Sequence, residues 1–387
     1  MNEWLLALNV GSSSVKFAAF PRVPGDAILR GTIANVEGEA RLTVRHTGKA
    51  VSEERCGARV SDLHSAIGHA LDVTFACIDQ SMLAAIGHRI VHGGAEFTRP
   101  TLLNAEVIEA LRRLECLAPL HQPASLAAID LVTRRASHVR QFGCFDTAFH
   151  AAQPDLNQVF ALSGDLAKRG VRRYGFHGLS YEHVAEVLRS RYGGGGRAVA
   201  AHLGAGASLC AMKDGVSVAT TMGMTPLGGV PMATRPGDLD PGVVLYLMEE
   251  LAMSGPEIRE LLYRQSGLLG LSSESGDMQR LLASKSPQAA RAVAFFVEAV
   301  QREIAALAAA LGGIDTLVFT AGIGENAPTI RERICEACAW FGVRIDRARN
   351  DAGADEIHRA DSSIRVVVAA ADEEAVISSQ LRTALAM

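Results

Sequence analysis

The chain has 387 residues, a formal net charge of −4, 48% hydrophobic residues and 21% charged residues. These values fit a folded protein of two or three domains and exclude a disordered or fibrous chain. The mildly acidic balance offers no general basic surface to nucleic acid or an acidic membrane.

The N-terminus, "MNEWLLALNV", lacks the basic region and cleavage site of a signal peptide. Its continuation, "LALNVGSSSVKFAAF" (residues 6–20), predicts two apolar strands around a small polar turn. A turn with Asn9, Gly11, Ser12, Ser14 and Lys16 nearby suits a phosphate, through backbone N–H groups, hydroxyls and an ammonium. It equally suits an ordinary Ser-rich turn, and no G-x-x-x-x-G-K-[ST] spacing is present. Further strands are expected at 27–35 and 40–45, with a turn at Gly38. Ser61 is the expected N-cap of the next helix. "LAAIGHRIVHGG" predicts a buried strand feeding a loop, and helices follow at about 104–114 and 125–136. "QFGCFDTAFH" predicts a strand with Asp146 at its end.

The second half repeats this grammar. From Ala198, "AVAAHLGAGASLCAMKDG" again reads strand, Gly/Ser-rich turn, strand. Helices are expected at about 241–252 and 287–311. The stretch "IAALAAALGGIDTLVFTAGIGEN" is broken by Gly312, Gly313 and Asp315, so it predicts a buried helix, a turn and a strand rather than a membrane span. The strand is expected to open into a Gly-rich turn at "AGIGEN". Cys335 and Cys338 lie in "RERICEACAWFG", which reads as a helix and makes them core residues. Seven scattered cysteines, an odd number, predict a reduced, cytoplasmic protein. The boundary between the halves is expected near 147–155. Two α/β halves, each opened by a phosphate-type hairpin, suggest an internal duplication with a nucleotide in the cleft between them. Actin, Hsp70 and the sugar kinases share that plan, an analogy of fold that names no reaction.

Polar residues at the ends of apolar strands are the expected site candidates. They occur in "GHRIVHGG", "APLHQP", "FDTAFH", "YGFHGLS", "HLGAGAS", "TPLGGVPMATRPGDLDP", "FTAGIGEN" and "ADEEAVI". In this order, from "LNVGSSSVKF" to "ADEEAVI", they resemble the acetate kinase family over nearly the whole chain. The resemblance implies an α/β fold of duplicated ribonuclease H-like, actin-like ATPase domains with the active site in the interdomain cleft. One domain would span 1–148 plus a C-terminal helix at about 375–387. The other, for nucleotide binding and dimerisation, would span 149–374.

The implied reaction is reversible transfer of the ATP γ-phosphoryl to acetate, giving acetyl phosphate and ADP. A carboxylate is already ionised at neutral pH, so this chemistry needs charge neutralisation and in-line alignment rather than a base. By resemblance, Arg89 and Arg235 bind the carboxylate and the transferring phosphoryl. His177 and His121 assist, and Asp146 orders Arg89 and the metal. Mg²⁺, with Mn²⁺ as an alternative, would be held by Asn9 and Glu373, the latter chosen over Glu374. Val91, Leu120, Phe176 and Pro226 would form the acyl pocket, with room for propionate. The nucleotide would meet Ser12, Ser14, Lys16, His202, Leu203, Gly204, Ala205, Gly206, Asp277, Gln279, Gly322, Ile323, Gly324, Glu325 and Asn326. The resemblance also implies a homodimer, with no nucleic-acid or membrane partner.

The chain departs from the family pattern around the nucleotide. Ala205 stands where Asn is usual, Ala219 where Asp is, and Gly228 where Glu is common. Gln279 takes an Arg position, with Arg280 one residue along. These changes leave two alternatives to an acetate kinase: a propionate or butyrate kinase, and a nucleotide-binding regulator with impaired catalysis.

Overall fold

The computed structural model describes residues 3–11 and 13–386. Its chain forms two compact units, Met1–Phe149 with Asp372–Met387, and His150–Ala371. The second crossing falls at 371/372 rather than 374/375, so Glu373 and Glu374 belong with the first unit.

The first unit holds an eight-stranded sheet. Its strands are β1 (Trp4–Val10), β2 (Ser14–Pro21), β3 (Leu29–Ala34), β4 (Arg41–His46), β5 (Ser52–Arg55), β6 (Leu83–Ile90), β7 (Thr101–Leu102) and β8 (Arg140–Phe145). The spatial order is β5-β4-β3-β2-β1-β6-β8-β7. β1 to β5 form an antiparallel meander, while β1, β6 and β8 run parallel. Alternate residues Leu6, Leu8 and Val10 join Val15, Phe17 and Ala19 in one core, against the helices Leu63–Phe75 and Gln122–Arg135. The helix Glu373–Ala386 packs on β1 and β6. A side chain at Gly87 would run into Ile377 and Leu381 of that helix, so only glycine permits the approach. With helices on both faces, β1 is buried almost along its length and carries an apolar run interrupted only at Asn9.

The second unit holds β9 (Arg197–Leu203), β10 (Ala207–Lys213), β11 (Val216–Thr220), β12 (Thr316–Thr320) and β13 (Arg365–Val368). Their order is β11-β10-β9-β12-β13. This matches β3-β2-β1-β6-β8 strand for strand, with the same mix of antiparallel and parallel neighbours. The duplication read from the two hairpins is therefore a repeated five-strand core, to which the first unit adds β4, β5 and β7. The helix Pro287–Ala310 buries Val293, Phe296, Val300 and Ile304, and starts at Ser286, whose hydroxyl accepts from the Ala289 N–H. Among the described residues, no helix is long and apolar enough to cross a membrane.

Several local expectations change. The cap of the helix Leu63–Phe75 is Asp62, not Ser61, in a reciprocal pair with Ser65. β5 was not expected, because its sequence is polar and all four residues are exposed. "AGIGEN" is a short helix, Ala321–Asn326, and not an open turn. It follows β12 directly, with Ala321 at φ +66° making the corner. Cys335 and Cys338 are buried at the end of the helix Pro328–Ala337, where burial pushes the Cys338 thiol up to about 12.

Candidate active site

In the first unit, the β1–β2 register pairs Asn9 with Lys16. By strand alternation, both side chains lie on the face opposite Leu8 and Phe17. The helix starting at Glu373 brings its first acids to Asn9, whose Nδ2 donates to Glu373 Oε2 at 2.7 Å and to Glu374 Oε1 at 3.0 Å. Asn9 Oδ1 accepts from Arg89 Nη1 at 3.1 Å. Arg89, near the end of β6, faces the residue that follows β8. Its Nε donates to both oxygens of Asp146 at 3.1 Å, and its Nη2 donates to Oδ2 at 2.7 Å. Arg89 Nη1 also lies 3.5 Å from Glu373. Asp146 is fully buried, and both late glutamates are buried. Burial pulls the Arg89 guanidinium down, but the charges of Asp146, Glu373 and Glu374 hold it above its ordinary value.

Glu374 is raised by burial and by Glu373 beside it, against the opposing charge of Lys16. Two adjacent buried carboxylates thus meet one amide and the far end of one arginine. A hard cation would relieve them, and their oxygen donors fit Mg²⁺. Among the described residues, no group of three or more His, Cys, Asp or Glu could hold a metal. The protein thus offers only part of a shell, as suits an ion that keeps waters and shares phosphate oxygens. Both Glu373 and Glu374 touch Asn9, so the hydrogen bonds do not single out Glu373.

Val91 is buried just beyond β6. Leu120 and His121 are half-buried at the start of the helix Gln122–Arg135. Gln122 ties the two segments together: its Oε1 accepts from His92 N at 3.1 Å and its Nε2 donates to His92 O at 3.0 Å. Ser14 is half-buried and Lys16 exposed, while Ser12 lies outside the described residues.

In the second unit, His177 precedes the helix Gly178–Tyr192 with φ +58°. This is the left-handed region, strained for a residue with a side chain. Its ring stacks on His202 with centroids 4.2 Å apart and planes 13° apart. His177 Nδ1 meets Ser208 Oγ at 2.9 Å, and His202 Nδ1 meets Ser180 Oγ at 2.8 Å. The β9–β10 turn passes close by. A Cβ on Gly206 would sit 2.7 Å from Arg235 Nη2 and 3.1 Å from His177 Nε2, so glycine leaves both tips facing the turn's backbone. Arg235 is buried, donates from Nη1 to Pro226 O at 2.7 Å, and has no carboxylate partner among the described residues. Burial pushes it down to about 10. Phe176 and Pro226 are also buried.

A cavity of about 630 Å³ opens in the same unit. Gly204, Ala205, Asp277, Gln279, Gly322, Ile323 and Asn326 line it, as do Ala233, Gly276, Met278, Leu282 and Ala327–Thr329, which the motifs did not flag. His202, Leu203, Gly206, Gly324 and Glu325 do not line it. Gly324 packs against Phe319, and Glu325 Oε1 accepts from Ala371 N at 2.9 Å. Asp277 caps the helix Met278–Ala283 through the Gln279 N–H at 2.8 Å. Arg331, 1% exposed, holds the helix Ala321–Asn326 from behind. Its Nη1 donates to Gly324 O and Glu325 O at 2.9 and 2.7 Å, and its Nε donates to Asn350 Oδ1 at 2.8 Å. A second groove of similar size, lined by Cys335, Val343, Arg344 and Arg347, contains none of the candidate residues.

Known proteins match this arrangement along its length. The sequence model of the acetokinase family covers residues 4–379. An acetate kinase of Rhodopseudomonas palustris (strain TIE-1) is 45% identical over 98% of this chain and 97% of its own. The crystal structure of a propionate kinase from Francisella tularensis subsp. tularensis SCHU S4 superposes with a TM-score of 0.88, at 33% identity over 98% of both chains. That of Porphyromonas gingivalis acetate kinase gives 0.84, at 34% identity over 99% of this chain and all of the other. The chain belongs to the acetokinase family.

Proposed function

We propose that the protein is an acetate kinase, transferring the γ-phosphoryl of ATP reversibly to a carboxylate oxygen of acetate. The observation that carries this reading is the engagement of Asp146. This fully buried carboxylate, placed where a hydroxyl-directed kinase would need a base, is committed to Arg89 through three hydrogen bonds. An anchored acid is a poor base, and an acceptor that is already an anion needs none. What it needs is cations, and Arg89, half-buried, and Arg235, buried, each offer a guanidinium with a planar fork for carboxylate or phosphoryl oxygens.

Asn9, Glu373 and Glu374 would hold a divalent ion, Mg²⁺ or Mn²⁺, which when bound neutralises phosphate charge. Arg89, locked by Asp146, orients the acceptor, with Val91, Leu120, Phe176 and Pro226 as its apolar surroundings. Arg235 and His177 Nε2 meet the transferring phosphoryl across Gly206, and His121 assists. The cavity along Gly204–Ala205, Asp277–Gln279 and Gly322–Ile323 takes the nucleoside. Propionate is the second substrate of this reading, because the propionate kinase of Francisella tularensis is so similar. One methylene is worth only about 1–3 kcal/mol of discrimination. The test is turnover with Mg-ATP, trapping acyl phosphate as hydroxamate from acetate, propionate and butyrate. Acetate is expected to give the highest rate, and no hydroxamate from any acid would overturn the reading.

The same reading makes the protein a homodimer. Its support is the helix Pro241–Glu249, which buries no residue and leaves Leu245, Tyr246 and Met248 at least half exposed. Such a row on one helix is large for a monomer's surface. Sedimentation is expected to give a dimer, and Leu245→Asp with Tyr246→Asp a monomer. A monomeric native protein would contradict it.

A further inference from the structure

We propose that Tyr181 is a positioning residue for phosphoryl transfer: through the Ser208 hydroxyl it holds His177 in the tautomer that carries its proton on Nε2. The proposal rests on the reading of His177 as a donor to the transferring phosphoryl.

Tyr181 is fully buried on the first turn of the helix Gly178–Tyr192. Its hydroxyl meets Ser208 Oγ at 2.6 Å, and the same oxygen meets His177 Nδ1 at 2.9 Å. Ser208 is itself fully buried on β10, and Tyr181 and His177 are the two side-chain partners of its hydroxyl. The polarity of this chain follows from its chemistry. A phenol is the stronger acid of the two hydroxyls and the better donor, and 2.6 Å is short even for O–H···O. Tyr181 therefore donates to Ser208. The Ser208 proton then has one remaining partner, His177 Nδ1, which must accept it. A neutral imidazole that accepts at Nδ1 carries its proton at Nε2.

Two surrounding features favour the neutral ring. His177 lies in a 4.2 Å stack on His202, where two imidazolium charges would repel. A Cβ placed on Gly206 would come within about 3 Å of both His177 Nε2 and the Arg235 guanidinium, so a fixed cation is already on that side. The result is a donor aimed at the turn that carries no charge of its own. With the other tautomer, a lone pair at Nε2 would face the incoming phosphoryl oxygens.

The decisive measurement is long-range ¹H–¹⁵N correlation of the imidazoles in the intact protein, above the ordinary imidazole range of pH. His177 is assigned by the signals lost in His177→Gln. The expected result is protonated Nε2 and bare Nδ1 in the wild type. Tyr181→Phe is expected to shift His177 toward the Nδ1-protonated form and to lower kcat about tenfold, as for one lost hydrogen bond near 1.4 kcal/mol. KM for acetate and ATP should stay within about twofold. Ser208→Ala should do the same, and the double variant no more than either alone. A melting curve of each variant checks its fold, and the wild-type spectrum decides the tautomer whatever the variants do. An Nδ1-protonated His177 in the wild type would overturn the proposal. So would Tyr181→Phe with unchanged tautomer and kcat, or losses that add in the double variant. Absence of acetyl phosphate formation by the wild type would instead sink the kinase reading, and the spectrum would still report the tautomer.

Discussion

The two units answer the same electrostatic problem in opposite ways. In the first, Arg89 sits among three carboxylates, with Asp146 bonded to it and Glu373 at 3.5 Å. In the second, Arg235 is more deeply buried, and among the described residues its hydrogen-bond acceptor is the Pro226 carbonyl, with Tyr263 nearby and no carboxylate paired to it. The first cation is compensated before any ligand arrives, so it is a fixed part of the fold that also offers donors to an acceptor. The second is an uncompensated charge, held down to about 10 by desolvation, and an incoming anion is what it lacks. One arginine is held by the protein's own acids; the other, on the proposed reading, is left for an anionic ligand.

The comparison is most easily broken at Arg89. Arg89→Ala leaves Asp146 and Glu373 buried without their cation, and one-sided removal of a buried pair costs about 3–5 kcal/mol. Chemical denaturation should show a loss of that size, and kcat should fall by about 10² or more. Unchanged stability would mean that the acid cluster does not depend on Arg89.

A smaller effect is expected behind the cavity proposed to take the nucleoside. Arg331→Ala strips the donors from Gly324 O and Glu325 O, at about 1–3 kcal/mol for buried groups left unpaired. KM for ATP should rise while KM for acetate stays constant. Equal changes in both would show that Arg331 supports more than the nucleotide side. The smallest effect should come from Ala205→Asn, which returns a side-chain donor to the lining of that cavity. One hydrogen bond of about 0.5–1.5 kcal/mol predicts a two- to tenfold fall in KM for ATP or a rise of that size in kcat. No change in either would remove Ala205 from the phosphate contacts.

The sheets were legible in the sequence because alternation and apolar runs are local. Both hairpins, the buried strand that carries Arg89 and the strand before Asp146 all stand where periodicity placed them. Short-range polar chemistry was harder to read. Ser61 and Asp62 are adjacent caps of equal merit, and only the reciprocal pair with Ser65 decides for Asp62. Two glycines in "AGIGEN" signalled a turn, yet six residues fit one helical segment because β12 and Arg331 fix its ends. Long-range polar networks left no local trace. Asn9 meets Glu373 across 364 residues of chain, and Tyr181 and Ser208 look like ordinary core positions of a helix and a strand. Arg89, Asp146, His177 and Arg235 were singled out as strand-end and loop residues. Their roles came from the family resemblance, and their pairing from the fold.

The most direct test of the division between the two arginines is Arg235→Ala, measured for kcat with acetate and Mg-ATP beside its unfolding free energy. The account predicts a fall in kcat of about 10²–10³, as for a lost charge-stabilising donor, with stability lowered by no more than about 1–2 kcal/mol, because the Pro226 carbonyl loses its donor but no buried carboxylate loses a partner. Near-normal kcat, or a loss of stability as large as that of Arg89→Ala, would contradict it.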